Sequence, residues 1–424
     1  MKNILVMFSL LAAIGAVTTT KVLTASTPLS KNATLCLQEK IDEVLAPSTD
    51  TKRSVKINCR LELKATDRVT KQILLFGEDS SGTEIKCNGA TLSPSFGHDA
   101  IVVRSQQTAQ PTTNLPIGKW SRPYGITVSG CKVLGGIVVM GVLNNNKPGI
   151  FQDSSRLAGH TQRMQDSAPS HISFVSMYIE ANRSSALYVH PGSTYVTLKS
   201  SRLSGSTYGP VIYLDAESAN NTIKNNNFDV DTTRSFDITN FSSLFSREII
   251  AVDGSAYNKI IGNRFSQVDE GGIYIYRNCG EGGIIRHQTP HDNQIINNIF
   301  YYNKYKGSNP SIFVSSRDGN SSFCKDDSGY SYGSSNDNGD FATNTAIIEN
   351  RIYKFSPSSM IKIGKTGSSD IQLNTTVPVG TTVSKLSSSC YVSEEKRVYG
   401  NKTVRTDKGK SFTCNDGLWV STGK

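Results

Sequence analysis

The chain has 424 residues and a formal net charge of +10, longer than the roughly 100–200 residues of an ordinary domain but suited to a repeat architecture that grows as one body. Gly, Ser, Asn, Thr and Ile are abundant and helix-forming charged runs are few, which favours β structure. No segment past the start is apolar for long enough to cross a bilayer, and no CxxC spacing offers a zinc site.

The chain opens with MKNILVMFSLLAAIGAV, where Lys2 precedes an apolar run too short for a membrane span, the pattern of a secretory signal peptide. Small residues offer cleavage after Gly15 or Ser26. Assigning residues 1–26 to the signal removes Lys2 and Lys21 and leaves a charge of +8. The mature protein is then expected outside the cell or in the periplasm. A basic balance there points to an acidic partner. With no aromatic-basic motif in the chain, an anionic polysaccharide fits better than nucleic acid. All eight cysteines lie beyond the signal, and an even set in an exported chain favours disulfides. Neighbour pairing is expected: Cys36 with Cys59, Cys87 with Cys131, Cys279 with Cys324 and Cys390 with Cys414.

Residues 27–380 read as one solenoid. Leu35, Leu37, Ile41, Val44 and Leu45 line one face of a predicted helix bounded by Pro47, which could cover the open first coil. EIKCNGATLS, residues 84–93, follows as a strand, turn, strand unit that begins the coils. One pattern then recurs: NTIKNNNF from Asn221, NKIIGNRF from Asn258 and NQIINNIF from Asn293. Weaker copies end at Val133, Ile179, Leu203 and Ile352. The steps from Ile179 to Leu203 to Phe228 are 24 and 25 residues, the length of one coil, and longer gaps imply inserted loops. Ile and Phe alternate toward one face, while Asn at equivalent turns can bond its copies above and below as a ladder. The expected fold is all-β, a right-handed parallel β-helix.

Equivalent positions of successive coils stand about 4.8 Å apart, in columns. The strands before each Asn turn read Leu187–His190, Ile212–Asp215, Ile250–Asp253, Ile273–Tyr276 and Ile312–Ser315, so His190, Asp215, Asp253, Tyr276 and Ser315 form one column. A second holds Tyr188, Tyr213, Ala251, Tyr274 and Phe313, a stripe that offers stacking surface to sugar rings. Two carboxylates one coil apart need a cation or a shared proton. Asp215 and Asp253, with Glu217 close by, could hold Ca²⁺, the only cofactor the pattern suggests. They could equally serve as the acid and base of a glycosidase.

The loop from Arg277 to Asp292 adds Arg277, Glu281, Arg286 and His287 around a flexible Gly280–Gly283 run. Arginine matches the two oxygens of a uronate carboxylate. Its charge acidifies the adjacent C–H, and His190, His287 or Tyr276 could then remove that proton and start an elimination. Glu217 is a further candidate for sugar contacts, Arg247, Glu248 and Glu270 are weaker ones, and Arg247 and Glu248 could instead pair with each other. Residues 381–424 read as a small separate module, stapled by Cys390 and Cys414.

The repeats and the Asp/Tyr/Arg column resemble the pectate-lyase-like superfamily of single-stranded right-handed β-helices, over roughly Ile85 to Ile352. YLDAES, AVDGS and GGIYIYRNCGEGGIIRHQTPHDN look most like exported bacterial biofilm-matrix polysaccharide lyases. The resemblance implies an acidic extracellular polysaccharide bound in a groove along the parallel strands. The Asn-Thr-Asp, Asp-Asp, Gly-His-Gly and Arg-Ile-Lys motifs of galacturonan hydrolases are not present in register, Asp326-Asp327 falling in a polar insertion. The pectate-lyase Arg-x-Pro-x-x-Arg motif does not occur either. The function expected is a secreted lyase cleaving a uronate-containing polymer by β-elimination. Two alternatives stand beside it: a hydrolase built on Asp215 and Asp253, and a non-catalytic polysaccharide-binding matrix protein or adhesin.

Overall fold

Period-two alternation in the sequence becomes short strands with fully buried inward residues, as in Thr194–Lys199, where Val196 and Leu198 point into the core. The computed structural model describes residues 34–421 except 96, 98, 143–147, 183–184, 233–234, 239–240, 245–246, 279–283, 303–308, 316–341, 355–360, 364–375, 386–389, 393–396, 400–402, 408–409 and 416–417. Each coil gives one strand to each of three parallel sheets, and among the described residues each sheet has ten strands. The fold is a parallel β-helix. Sheet 1 contains Leu187–Val189, Ile212–Leu214, Ile250–Asp253, Ile273–Tyr276 and Ile312–Val314.

The Asn turns form two buried ladders between sheets 2 and 3 and at the entry to sheet 2. Asn226, Asn263, Asn298 and Asn350 are linked amide to amide at 3.0, 3.0 and 3.1 Å. Asn221, Asn258 and Asn293 are linked at 3.0 and 2.9 Å. Each amide also takes a backbone N–H from the coil before it, as Asn263 does from Asn226 at 3.0 Å. Before the longer ladder the chain bends through left-handed residues, Asn225, Gly262 and Asn297, with φ of 56°, 68° and 53°. Asn and Gly tolerate that region best. Inside, Phe228, Phe265 and Phe300 stack at 4.8 Å between centroids, the strand spacing itself.

At the N-terminal end, helix α1 (Gln38–Leu45) buries Val44 and packs Ile41 and Leu45 on the core. Leu35 and Leu37, expected on the same face, are exposed, because both precede the helix. The coils also begin earlier than expected: Ser54–Lys56, Leu61–Glu62 and Arg68–Val69 form a turn before Glu84. Cys36–Cys59 and Cys87–Cys131 are disulfides as expected. Cys414 is disulfide-bonded as well. The side chain of Cys390, the expected Cys279–Cys324 pair, Glu281 and the signal segment lie outside the described residues. The last coil strands are Thr376–Val379 and Thr382–Lys385, and small antiparallel sheets follow from Cys390 to Ser421. No helix of the described residues is long and apolar enough to cross a membrane.

Two helices absent from the sequence reading interrupt the coils between strands Ile137–Met140 and Ser170–Val175: α2 (Pro148–Ser155) and α3 (His160–Ser167). Phe151 of α2 and Met164 of α3 join Ile117 and Val142 in a second apolar cluster, with Trp120, Ile150 and Ile284 against it. This insertion roofs the turn where sheet 1 ends.

Candidate active site

Strand register stacks His190, Asp215, Asp253, Tyr276 and Ser315 at equivalent positions just past or at the end of sheet 1. Tyr188, Tyr213, Ala251, Tyr274 and Phe313 align as a second column. The columns are far less open than water-facing positions would be. Asp215 is 4% exposed and Asp253 0%.

Burying two neighbouring carboxylates needs compensation, and Arg286 supplies it. Its Nη1 lies 2.8 Å from Asp253 Oδ1 and its Nη2 3.3 Å from Asp215 Oδ1. Tyr188 donates its hydroxyl to Asp215 Oδ2 at 2.6 Å, and Tyr213 donates to Asp253 Oδ2 at 2.5 Å. Backbone N–H groups complete the set: Ala216 to Asp215 Oδ1 at 2.8 Å and Asn278 to Asp253 Oδ1 at 2.6 Å. The expectation of calcium between Asp215 and Asp253 is therefore corrected. A guanidinium occupies the place between the two carboxylates, and among the described residues no cluster of three or more His, Cys, Asp or Glu is arranged to hold a metal.

The protonation states follow from that packing. Burial raises the Asp215 pKa, with Asp253 adding to it and Arg286 opposing it. Burial also lifts the Tyr188 phenol well above its ordinary value, and the Asp215 charge lifts it further, so it stays a proton donor. Burial alone would lower the Arg286 pKa, but Asp253 and Asp215 outweigh it and hold the guanidinium charged.

Arg286 reaches this place because the segment 284–288 is tied down from several sides. Glu217, fully in contact at a left-handed φ of 60°, accepts the His287 N–H at 2.7 Å, the Gln288 N–H and the Thr161 hydroxyl of α3. Gln288 donates onward to the carbonyls of Ser218 and Gly254, at 2.7 and 2.9 Å. Glu217 is thus a clamp for the loop rather than a calcium ligand. Arg277, expected to neutralise a uronate, is 0% exposed and donates to the Arg286 carbonyl at 3.0 Å. It positions the loop from beneath and cannot meet a substrate. His287 contacts the Ser155 carbonyl through Nε2 at 2.5 Å and faces the ring of His160.

The two other expected proton carriers differ: Tyr276 is engaged, while the buried Nδ1 of His190 has no hydrogen-bond partner among the described residues. His190 lies against Tyr188 with ring centroids 3.8 Å apart, and burial pushes its pKa down to about 3, so its imidazole is neutral. Tyr276, fully buried, donates to Glu248 at 2.5 Å, and Glu248 is held by Arg247 at 3.2 Å. Arg247 and Glu248 do pair, as the alternative for them had it. Tyr274 packs on Phe313 and over Gly271, and Glu270 is half-buried at the same bend. The aromatic stripe is accordingly a half-buried wall in which the Tyr188 and Tyr213 hydroxyls are spent on aspartates. Among the described residues the openly exposed tyrosines are Tyr195 and Tyr257, one turn further on and about half exposed.

What remains open is a pocket of about 200 Å³ between the roof and the end of sheet 1. Asp215, Tyr188, Glu217 and Arg286 form its polar side, and Phe151, Met164, Pro191 and Ile284 its apolar side. His160 also lines it, held neutral by burial and by the nearby His287 and Arg163, with a pKa pushed down to about 3. Thr161, His160 and Phe151 were missed by the sequence reading. The only signal for them was the 46-residue gap between the copies ending at Val133 and Ile179.

No family model matches the sequence, and no curated protein matches it. Solved structures align with this chain at low similarity. An alginate lyase from Paenibacillus sp. str. FPU-7 matches at 11% identity over 77% of this chain and 86% of its own, with a TM-score of 0.35. PfbA, a surface adhesin of Streptococcus pneumoniae, matches at 12% identity over 87% and 92%, with a TM-score of 0.39. The catalytic domain of a GH87 alpha-1,3-glucanase matches at 9% identity over 84% and 70%, with a TM-score of 0.32. A fold hosts many chemistries, and the chemistry here has to be argued from the pocket.

Proposed function

We propose that this chain is a secreted carbohydrate-active enzyme that cleaves a uronate-containing polysaccharide by β-elimination at the pocket beneath α2 and α3. The observation that carries the reading is the setting of Asp215: a slightly open carboxyl of raised pKa, with a phenol on one oxygen and a guanidinium at the other. Elimination needs a base for the proton beside the uronate carboxylate, an acid for the leaving oxygen and a cation for the developing negative charge. Asp215 takes the proton. The electron pair of the broken C–H bond forms the ring double bond as the glycosidic C–O bond opens. Tyr188 gives its proton to the departing oxygen and regains one from Asp215 through their existing contact. Arg286 presents Nη2, its longer contact, to the substrate carboxylate. These roles replace those expected of His190, Tyr276, His287 and Arg277. The two disulfides support the exported setting.

Hydrolysis is the second reading, favoured by one observation: Glu217 lines the same pocket as Asp215 and gives it a second carboxylate. Asp253 cannot be that partner, being fully buried. Incubating the protein with uronate polymers and following ultraviolet absorbance separates the two, because only elimination leaves an unsaturated sugar. The lyase reading expects the band to grow with chain shortening, and Asp215→Asn to slow it by about 10²–10⁴-fold. Shortening without the band would establish hydrolysis, and binding without shortening a matrix protein.

A further inference from the structure

The outer face of sheet 3 carries a feature unrelated to the pocket. Strand register places Arg68, Lys132, Arg202, Arg264 and Arg351 in a single column, with one coil between each cation and the next. Thr91, Tyr178, Asn227 and Ile299 fill the intervening positions, none of them charged. All the cations are exposed. At about 4.8 Å per coil they repeat about every 10 Å, over roughly 40 Å of the helix. Among the described residues no carboxylate forms an ion pair with any of them. Glu180 and Asp229, in the next outward column, do not reach them either. Two are braced by aromatic rings: Arg264 stands 4.3 Å over Tyr301 and bonds its hydroxyl, and Lys132 stands 5.8 Å from the Tyr178 ring. Lys199 and Lys224, adjacent coils across the bend from this column, add to the same field.

We propose that this column is a docking track for a linear acidic polysaccharide lying parallel to the helix axis with one acid group per disaccharide. The repeat of the cations is close to the length of one disaccharide of an extended chain, so each repeat meets one cation without bending. The uncharged position between cations faces the neutral sugar, and at Tyr178 it offers a ring face. Nucleic acid fits poorly, since its charges follow one another every ~3.4 Å along a strand. The track is independent of the pocket reading and retains polymer whether or not Asp215 turns it over.

Hyaluronan, with one carboxylate per disaccharide, is the probe, and affinity electrophoresis or surface plasmon resonance of the full chain is the measurement. Binding is expected to weaken with salt and to fall about tenfold or more in the double variant Arg202→Glu with Arg264→Glu. Arg202→Gln with Arg351→Gln, which leaves the Arg264–Tyr301 and Lys132–Tyr178 contacts in place, should shift it in the same direction. Lys56→Glu with Lys119→Glu makes the same change in net charge elsewhere on the surface and should leave binding intact. Equal losses in the two Glu double variants, no binding of hyaluronan, or tighter column-dependent binding of single-stranded DNA would each overturn the proposal.

Discussion

Arg286 stands 2.8 Å from Asp253 and 3.3 Å from Asp215, and removing it leaves two buried carboxylates facing one another. Arg286→Met should therefore cost about 3–5 kcal/mol of stability near neutral pH, read by denaturant unfolding. The sign of its pH dependence is fixed by Asp215, whose pKa is raised in the folded protein. A raised carboxylate favours the fold fully below its unfolded pKa, and that advantage disappears as pH rises through the folded value. The variant should consequently regain stability on acidification toward the ordinary carboxylate range; a penalty unchanged with pH would mean that the aspartates are not what Arg286 holds. Counting by twos along the sequence is enough to bring Asp215 beside Asp253. It cannot bring Arg286 between them, because the path of 284–288 depends on Glu217 and on Thr161 of a helix far away in the chain. The same count marks Tyr188 and Tyr213 as outward, yet their hydroxyls are spent on aspartates.

Among the elements, the Asn ladders were the most legible, since a polar residue repeating at one position of each coil has few other uses. Asn263 illustrates their worth: its Oδ1 accepts from the backbone and side chain of Asn226, while its Nδ2 donates to the Ile223 carbonyl and to Asn298. Asn263→Ala strands several buried polar groups and should cost about 2–4 kcal/mol. Urea unfolding of this variant against Lys224→Ala, exposed on the neighbouring coil, measures the difference; equal costs would remove the ladder from the account. Helices α2 and α3 were not legible. They bury few side chains of their own, chiefly Phe151, His160 and Met164, so their apolar pattern is too sparse to stand out from a polar insertion.

For the whole molecule, a coil touches only its neighbours, so stability is a sum of local couplings and the ends can open separately. The disulfides Cys36–Cys59 and Cys87–Cys131 both sit in the first coils, beneath α1. Reduction should accordingly speed hydrogen exchange in strands Ser54–Lys56 to Thr91–Leu92 well before those around Asp215, as mass spectrometry of peptide fragments would register. Uniform acceleration along the chain would instead mark a single cooperative unit. The overall architecture was readable because repetition multiplies a weak signal, whereas the roof over the pocket occurs once and had nothing to reinforce it. Repetition also imposes a parity on the sheet 3 face. Gaining or losing a single coil between Lys132 and Arg202 would throw the charges on either side out of step, while gaining or losing a pair would preserve their phase; growth of this molecule by duplication is therefore constrained to even increments wherever that beat matters.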